Sequence, residues 1–145
     1  MKRSETSTFP AGSRMTVQRR AILEQLAGMD SHPTAEELHR ELRRHLPHIS
    51  LGTVYRNLDL LCRAGAVSRL DGNGSQVRYD GRQEPHLHIR CEGCGRVDDI
   101  PVPELPALQR SVAGRTDYEV RGYSIMFEGL CPRCRRKQEN RKDRR

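Results

Sequence analysis

Tryptophan is absent from this 145-residue chain, and two Phe and four Tyr are its whole aromatic content. With 34% hydrophobic residues, it has little large apolar surface to bury. A small lobe built from such material needs a metal, a disulfide or a partner chain to be stable. Long apolar runs are missing as well. None approaches the ~20 residues of a membrane-spanning helix, so no membrane association is expected. The opening stretch MKRSETSTFPAGSR has charge but no apolar segment, which excludes a secretory signal. A soluble, cytoplasmic protein of one ordinary domain or two small ones is expected. No internal repeat is present.

Charge, by contrast, is plentiful: 31% of residues are charged and the formal net charge is +7. That excess invites a nucleic-acid reading, but it is unevenly placed. Residues 135–145 hold seven cations and two anions, residues 1–20 five and one, and the stretch between them is slightly acidic. Basic tails are often only solvated, disordered segments, so net charge alone does not establish DNA binding.

Helical periodicity begins at Thr16, a candidate N-cap, with Val17, Ile22 and Leu26 on one side and Gly28 near the end. Thr34-Ala35-Glu36-Glu37 reads as a capping box, in which the Thr hydroxyl takes the Glu37 amide and the Glu37 carboxylate reaches back. Leu38, Leu42 and Leu46 follow at helical spacing, and Pro47 predicts the stop. Ser50 caps a third helix with Leu51, Val54, Leu58 and Leu61 inward, closed by Ala64-Gly65. The period then becomes two: Val67 to Leu70 and Gln76 to Tyr79 are strand candidates joined by the hairpin signal Asp71-Gly72-Asn73-Gly74. Three short helices and a hairpin outline a winged helix-turn-helix. Residues 81–85 read as a hinge. Strands at His86–Arg90 and Arg96–Ile100, a helix around 104–113 and a strand near Glu119–Phe127 complete a small α/β lobe. The expected fold class is thus α+β. Its parts are a leader over 1–13, a DNA-binding winged helix over 14–80, a second domain over 86–134 and a disordered basic tail over 135–145.

Two cysteine pairs carry the strongest local chemistry. Cys91-Glu92-Gly93-Cys94 and Cys131-Pro132-Arg133-Cys134 form a doubled C-x2-C pattern. Each tight turn can present two sulfurs to one ion, and two turns make a tetrahedral S4 site. Gly95 fits a knuckle whose amides point at sulfur. The competing readings are a redox dithiol and chance pairing. A redox motif needs only one pair, and a cytosolic S4 set is normally a closed structural zinc site. The ion would staple the C-terminal region to a strand about forty residues earlier and supply stability that the lean lobe lacks. Cys62 is left over and reads as a buried structural thiol beside Leu58 and Leu61.

His86-Leu87-His88 alternates, so both imidazoles point to one strand face. Asp80 precedes them, Asp98-Asp99 lies on the next predicted strand, and His32-Pro33 precedes a helix. Singly these are weak signals, since a His-x-His is often only a polar strand face and Asp80 a turn residue. Their order gives them meaning. Arg14-Met15-Thr16-Val17-Gln18-Arg19, His32-Pro33-Thr34-Ala35-Glu36-Glu37-Leu38, Gly52-Thr53-Val54-Tyr55-Arg56-Asn57-Leu58, His86-Leu87-His88 and both Cys pairs stand in family order over about residues 13–135. On these motifs the chain resembles the ferric uptake regulator (Fur) family of metal-dependent DNA-binding repressors.

The resemblance implies a regulatory metal site at His32, Asp80, His86, His88 and Asp99. Three imidazoles and two carboxylates without thiolate suit Fe(II) or Mn(II), with Zn(II) as a competitor in vitro. Because the set draws on both lobes and the hinge edge, metal binding implies a clamp between them, the ion favouring one closed state. Zinc-sensing members place a Cys near the hinge, and residues 74–85 have none. Asp at both carboxylate positions resembles the peroxide-responsive (PerR) subgroup, in which Fe(II) reacts with peroxide and a ligand histidine is oxidised; His32 and His86 match those histidines. Iron-sensing relatives more often carry Glu there and a further His-rich site, where this chain has Pro85, Leu87 and Tyr123. Arg56 points the other way, since peroxide sensors often have Asn at that place.

For DNA, the resemblance puts the third helix in the major groove. Arg56 would read guanine O6 and N7, and the Tyr55 ring would meet thymine methyls, with Arg14 reaching a minor groove or phosphate. The ordinary alternative is a packed Tyr55 and a solvated Arg56. Palindromic double-stranded operator DNA read through two half-sites implies a homodimer, joined through the second domain. Two other classes stay open: a metalloenzyme using His86, His88 and Asp99 as a facial triad, and a zinc-stabilised interaction module without DNA binding. Nothing resembles a substrate pocket or a separate nucleophile, so no enzyme activity is expected.

Overall fold

The computed structural model describes residues 14–29, 31–72, 75–82, 86–102, 104–123 and 125–144. The expected leader over 1–13 lies outside them, as do residues 73–74 of the hairpin turn and 83–85 of the hinge. The chain divides into two units, residues 1–83 and 84–145.

The first unit contains α1 (Val17–Gly28), α2 (Ala35–Leu42), α3 (Leu51–Arg63), β1 (Ser68–Gly72) and β2 (Ser75–Asp80). Each helix starts where a hydroxyl takes an orphan amide. Thr16 Oγ1 accepts from Arg19 N at 3.3 Å, and Ser50 Oγ from Thr53 N at 3.1 Å. At α2 the capping box closes in both directions, with Glu37 N donating to Thr34 Oγ1 at 3.2 Å and Thr34 N to Glu37 Oε2 at 3.0 Å. The α3 terminus is a Schellman closure: Gly65 has φ 72°, while Gly65 N donates to Cys62 O and Ala66 N to Leu61 O at 3.0 and 2.9 Å. Ile22, Leu26, Leu38, Leu42, Val54, Leu58, Leu61, Val67 and Tyr79 make one core. Truncating a fully buried member such as Leu38 or Leu58 to Ala costs about 2–5 kcal/mol.

Two boundaries differ from expectation here. Helix α2 ends at Leu42 rather than near Leu46. Arg44 N and His45 N bond back three residues, to Glu41 O and Leu42 O, so the last turn tightens and Leu46 packs on the core from the loop. The strands β1 and β2 extend further into the turn, pairing antiparallel out to Gly72↔Ser75 with a register shift between Leu70 and Gly72.

The second unit has β3 (Leu87–Cys91), β4 (Val97–Ile100), α4 (Leu105–Ala113), β5 (Met126–Gly129) and α5 (Pro132–Lys142). Its sheet runs β4-β3-β5, with β4 antiparallel and β5 parallel to β3. The fifth strand lies later than the expected Glu119–Phe127, because its place is decided by pairing with β3, His88↔Met126 through Cys91↔Gly129. That parallel register ends both strands at the same edge, which brings the two Cys turns together. The tail expected to be disordered over 135–145 is instead helical through Lys142, starting from Cys131 as N-cap with Pro132 in the first turn. Winged helix and small α/β unit together make an α+β protein, and no helix among the described residues is long and apolar enough to cross a membrane.

Candidate metal centres and nucleic-acid interface

Cys91, Cys94, Cys131 and Cys134 each offer a sulfur, and the four lie within 4.8 Å of one another. All four are free thiols. Cys94 Sγ and Cys131 Sγ are 3.9 Å apart, close to the edge of about 3.8 Å of a tetrahedron with Zn–S near 2.3 Å. Cys131 N donates to Cys91 Sγ at 3.2 Å, an amide aimed at sulfur as zinc knuckles require. Gly95 has φ 75°, the left-handed turn that closes the first knuckle. At Gly93 a Cβ would stand 2.9 Å from both Cβ and Sγ of Cys134, so only glycine lets the two turns meet.

Electrostatics support the same fit. Burial pushes the Cys91 thiol up, but the amides of Cys131, Cys94 and Gly93 outweigh it and bring it down to about 6. The Cys134 thiol, hydrogen-bonded by Cys131, desolvated and crowded by the other sulfurs, is pushed up to about 12. One thiolate forms readily and the last is opposed by its neighbours, an opposition that a dication removes. The donor set therefore fits structural zinc.

In the second unit, His86 just precedes β3 and His88 lies within it, paired with Asp99 of β4. His86 Nε2 and His88 Nε2 are 2.9 Å apart, and Asp99 Oδ1 is 3.3 Å and 3.6 Å from them. The spacings compare with the edges, about 2.9–3.4 Å, between nitrogen and oxygen donors bound at about 2.1 Å to one divalent ion. In the first unit, His32 Nδ1 is 3.5 Å from Asp80 Oδ1 and both side chains are buried; Arg82 N donates to Asp80 Oδ1 at 2.8 Å. Each unit thus brings together its own share of the expected nitrogen and oxygen ligands, and sulfur takes no part in either. Cys62 lies apart, half-buried against the helical core, its thiol pushed up by burial.

Helix α3 exposes Tyr55 and Arg56 and buries Val54, Asn57 and Leu58, so Tyr55 is not a core residue, while Arg56 is solvent-facing, as both the base-reading expectation and its ordinary alternative have it. Tyr55 is 43% exposed and donates its hydroxyl to Glu36 Oε1 at 2.7 Å. That bond holds the Glu36 carboxyl below its usual range and pushes the Tyr55 phenol up. Arg56 Nη2 donates to Thr53 Oγ1 at 3.1 Å. Arg14 is exposed just before α1, its carbonyl accepting from Arg19 Nη1.

Sequence reasoning missed two groups. Arg19 Nε donates to Asn57 Oδ1 at 3.2 Å, tying α1 to α3. Arg78 of β2 bonds the His32 carbonyl and the Glu37 carboxylate at 2.8 and 3.0 Å. The signal available for Arg78 was its place two residues before Asp80, which puts both on one strand face.

Comparison with known proteins agrees with this arrangement. Residues 10–128 match the ferric uptake regulator family. The chain is 36% identical over 137 residues to the peroxide-responsive repressor PerR of Staphylococcus aureus, covering 94% of this chain and 93% of that one. Among solved structures, a Campylobacter jejuni peroxide stress regulator matches with TM-score 0.74 at 30% identity, over 81% of this chain and 88% of that one. The Helicobacter pylori ferric uptake regulator, described with three functional metal-binding sites, matches with TM-score 0.74 at 25% identity, over 93% and 97%. With the caps, the wing, the sulfur cluster and the His/Asp groups in place, the chain belongs to the ferric uptake regulator family.

Proposed function

We propose that this protein is a homodimeric, metal-dependent transcriptional repressor that binds palindromic operator DNA and responds to peroxide. The observation that carries the reading is the segregation of donors: four sulfurs form one cluster, while His86, His88 and Asp99 gather only nitrogen and oxygen. The sulfur set suits a permanent zinc. The nitrogen and oxygen set, completed by His32 and Asp80 as the family resemblance implies, suits an exchangeable Fe(II) or Mn(II), with Zn(II) competing in vitro.

Within that scheme the chain's residues have distinct tasks. Cys91, Cys94, Cys131 and Cys134 hold the C-terminal region to β3. His32, Asp80, His86, His88 and Asp99 hold the sensed ion, and because they belong to two units, an ion that all five bind favours one arrangement of the units. Iron bound there supplies the redox chemistry that attacks peroxide. His32 and His86 are the ligands that the family resemblance implies would be oxidised, and an oxidised ring would coordinate more weakly, which would release the clamp. Tyr55 and Arg56 read bases in the major groove, and Arg14 contacts phosphate or the minor groove. Residues 86–134 supply the dimer surface: Leu108 and Val112 share an exposed face of α4, and Phe127 is exposed on β5, apolar area that a second copy would cover. The identity to the Staphylococcus aureus peroxide-responsive repressor and Asp at both carboxylate positions favour peroxide over iron as the signal. Arg56, as in iron regulators, favours the iron-responsive reading.

The test is binding of the zinc-loaded protein to a palindromic duplex, with and without Mn(II). Specific binding that requires the added ion supports the proposal and excludes both a metalloenzyme and an interaction module. Binding that ignores Mn(II) and duplex sequence contradicts it.

A further inference from the structure

The wing and the helix-turn-helix meet at a side chain to which neither metal binding nor base reading gives a task. Arg78 is buried on β2, two residues before Asp80. Its Nη1 donates to the carbonyl of His32 at 2.8 Å and to Glu37 Oε2 at 3.0 Å. The next residue repeats the attachment, with Tyr79 N donating to Pro33 O at 2.9 Å. The backbone at 32–33 is therefore pinned to β2 where the His32 ring and the Asp80 carboxylate stand 3.5 Å apart.

The contacts continue toward the DNA-reading face. The Glu37 oxygen that accepts from Arg78 also accepts from Thr34 N at 3.0 Å, so one carboxylate oxygen joins the strand to the first turn of α2. Glu36 lies in that same turn, and its Oε1 accepts from the Tyr55 hydroxyl at 2.7 Å on α3. The path from the strand bearing Asp80 to the Tyr55 ring thus has hydrogen bonds at both ends, Arg78 to Glu37 and Tyr55 to Glu36, joined in the middle by the α2 backbone between Glu37 and Glu36.

A guanidinium suits this place for physical reasons. It keeps its charge at any physiological pH and donates in fixed directions. Once buried, it is costly to separate from its acceptors. Motion of β2 against the start of α2 would break one of the two bonds, so the two elements move as a unit. A divalent ion held by His32 and Asp80 acts on that same joint.

We propose that Arg78 is a positioning residue that makes operator binding depend on the sensed metal, by coupling the His32/Asp80 corner through Glu37 and Glu36 to the aim of Tyr55. The proposal rests on His32 and Asp80 as metal ligands and Tyr55 as a base-contacting ring. The decisive quantity is a coupling measured between variants.

The experiment compares operator affinity of the full-length, zinc-loaded protein with and without Mn(II), and takes the ratio as the metal-induced gain. Arg78→Lys keeps the charge but not the fork. It should lower the gain about tenfold, within the usual range of allosteric couplings, with zinc content and random-duplex affinity of the metal-free protein unchanged. Glu36→Ala should lower it similarly, whereas Glu36→Gln still accepts from the Tyr55 hydroxyl and should restore most of it. The double variant Arg78→Lys/Glu36→Ala should lose no more than the worse single variant, as members of one series do. A wild-type gain in Arg78→Lys, or losses that multiply in the double variant, would overturn the proposal. Should Arg78→Lys fail to fold, the Glu36 pair decides, and equal gains in Ala and Gln variants overturn it. A wild-type protein with no Mn(II)-induced gain would bring down the ligand assignment itself, and the proposal with it.

Discussion

Gly93→Ala offers a severe test of the proposed zinc staple, because the perturbation is a single methyl and its target is Cys134, one of the four sulfurs that fit the ion. The added Cβ would lie 2.9 Å from Cys134 Cβ, 2.9 Å from Cys134 Sγ and 3.4 Å from Leu130 Cδ2. Ordinary carbon contacts are about 3.5–4.0 Å, so Cys134 must retreat by roughly 0.6 Å or more. Metal–ligand distances in a sound site keep within about 0.2 Å of their usual values. The sulfur therefore cannot clear the methyl and keep its ideal distance and direction to the ion. A structural zinc site contributes about 10–16 kcal/mol of apparent binding free energy. Weakening one of four ligands should cost on the order of 3 kcal/mol, roughly a hundredfold in zinc affinity. Competition with a chromophoric chelator reads the affinity, and thermal unfolding reads its effect on stability. Gly95→Ala is the control. Its φ of 75° is strained for alanine, but nothing lies within 4 Å of the new Cβ, so it should cost about 1–2 kcal/mol and leave the ligands in place. A Gly93→Ala protein that resists the chelator as wild type does, or a Gly95→Ala protein that loses zinc more readily, would refute the reasoning.

Further outcomes follow from the same geometry. Cys94→Ser should lose one tightly held zinc per chain together with a large part of the melting temperature, and a variant that keeps both contradicts an S4 site. Because the Cys91 thiol is held down at about 6, its thiolate stabilises the fold fully above the ordinary thiol value. That contribution fades as pH falls and is gone once pH passes below about 6. Because zinc must then displace that proton too, its affinity, corrected for the chelator's own protonation, should fall more steeply once pH drops below about 6, and an affinity whose slope does not change between neutral pH and about 5 tells against it. Arg56→Ala should cost about 1–3 kcal/mol on the specific operator and flatten discrimination among operators; equal losses on specific and random duplex would mean a phosphate contact only.

The parts of the fold legible in the sequence are those decided within a few residues. Thr34 and Glu37 make their box, Ser50 caps α3 and Gly65 ends it, because hydroxyl, carboxylate and left-handed glycine act on their immediate neighbours. The doubled Cys pattern was legible for the same reason, each knuckle being a local turn. What the local pattern misplaced depends on distant partners. Strand β5 takes its bounds from parallel pairing with β3, far away in sequence. The helical tail takes its start from Cys131 and Pro132 at the second knuckle, whereas its composition alone reads as solvated and disordered. Arg78 was opaque because burying a cation on a wing strand makes sense only once Glu37 and the His32 carbonyl are seen to meet it.

Peroxide sensing is tested most directly by treating the Fe(II) and Mn(II) forms, each bound to operator DNA, with stoichiometric peroxide. The motivating geometry is the sulfur-free set, with His32 beside Asp80 and His86 and His88 beside Asp99. Peptide mass spectrometry and operator affinity are read on the same samples. The Fe(II) form should gain the mass of one oxygen atom on a peptide containing His32 or His86 and release DNA in proportion, and the Mn(II) form should do neither. An iron form that keeps its grip on DNA with both histidines unmodified would contradict peroxide sensing and leave iron itself as the signal.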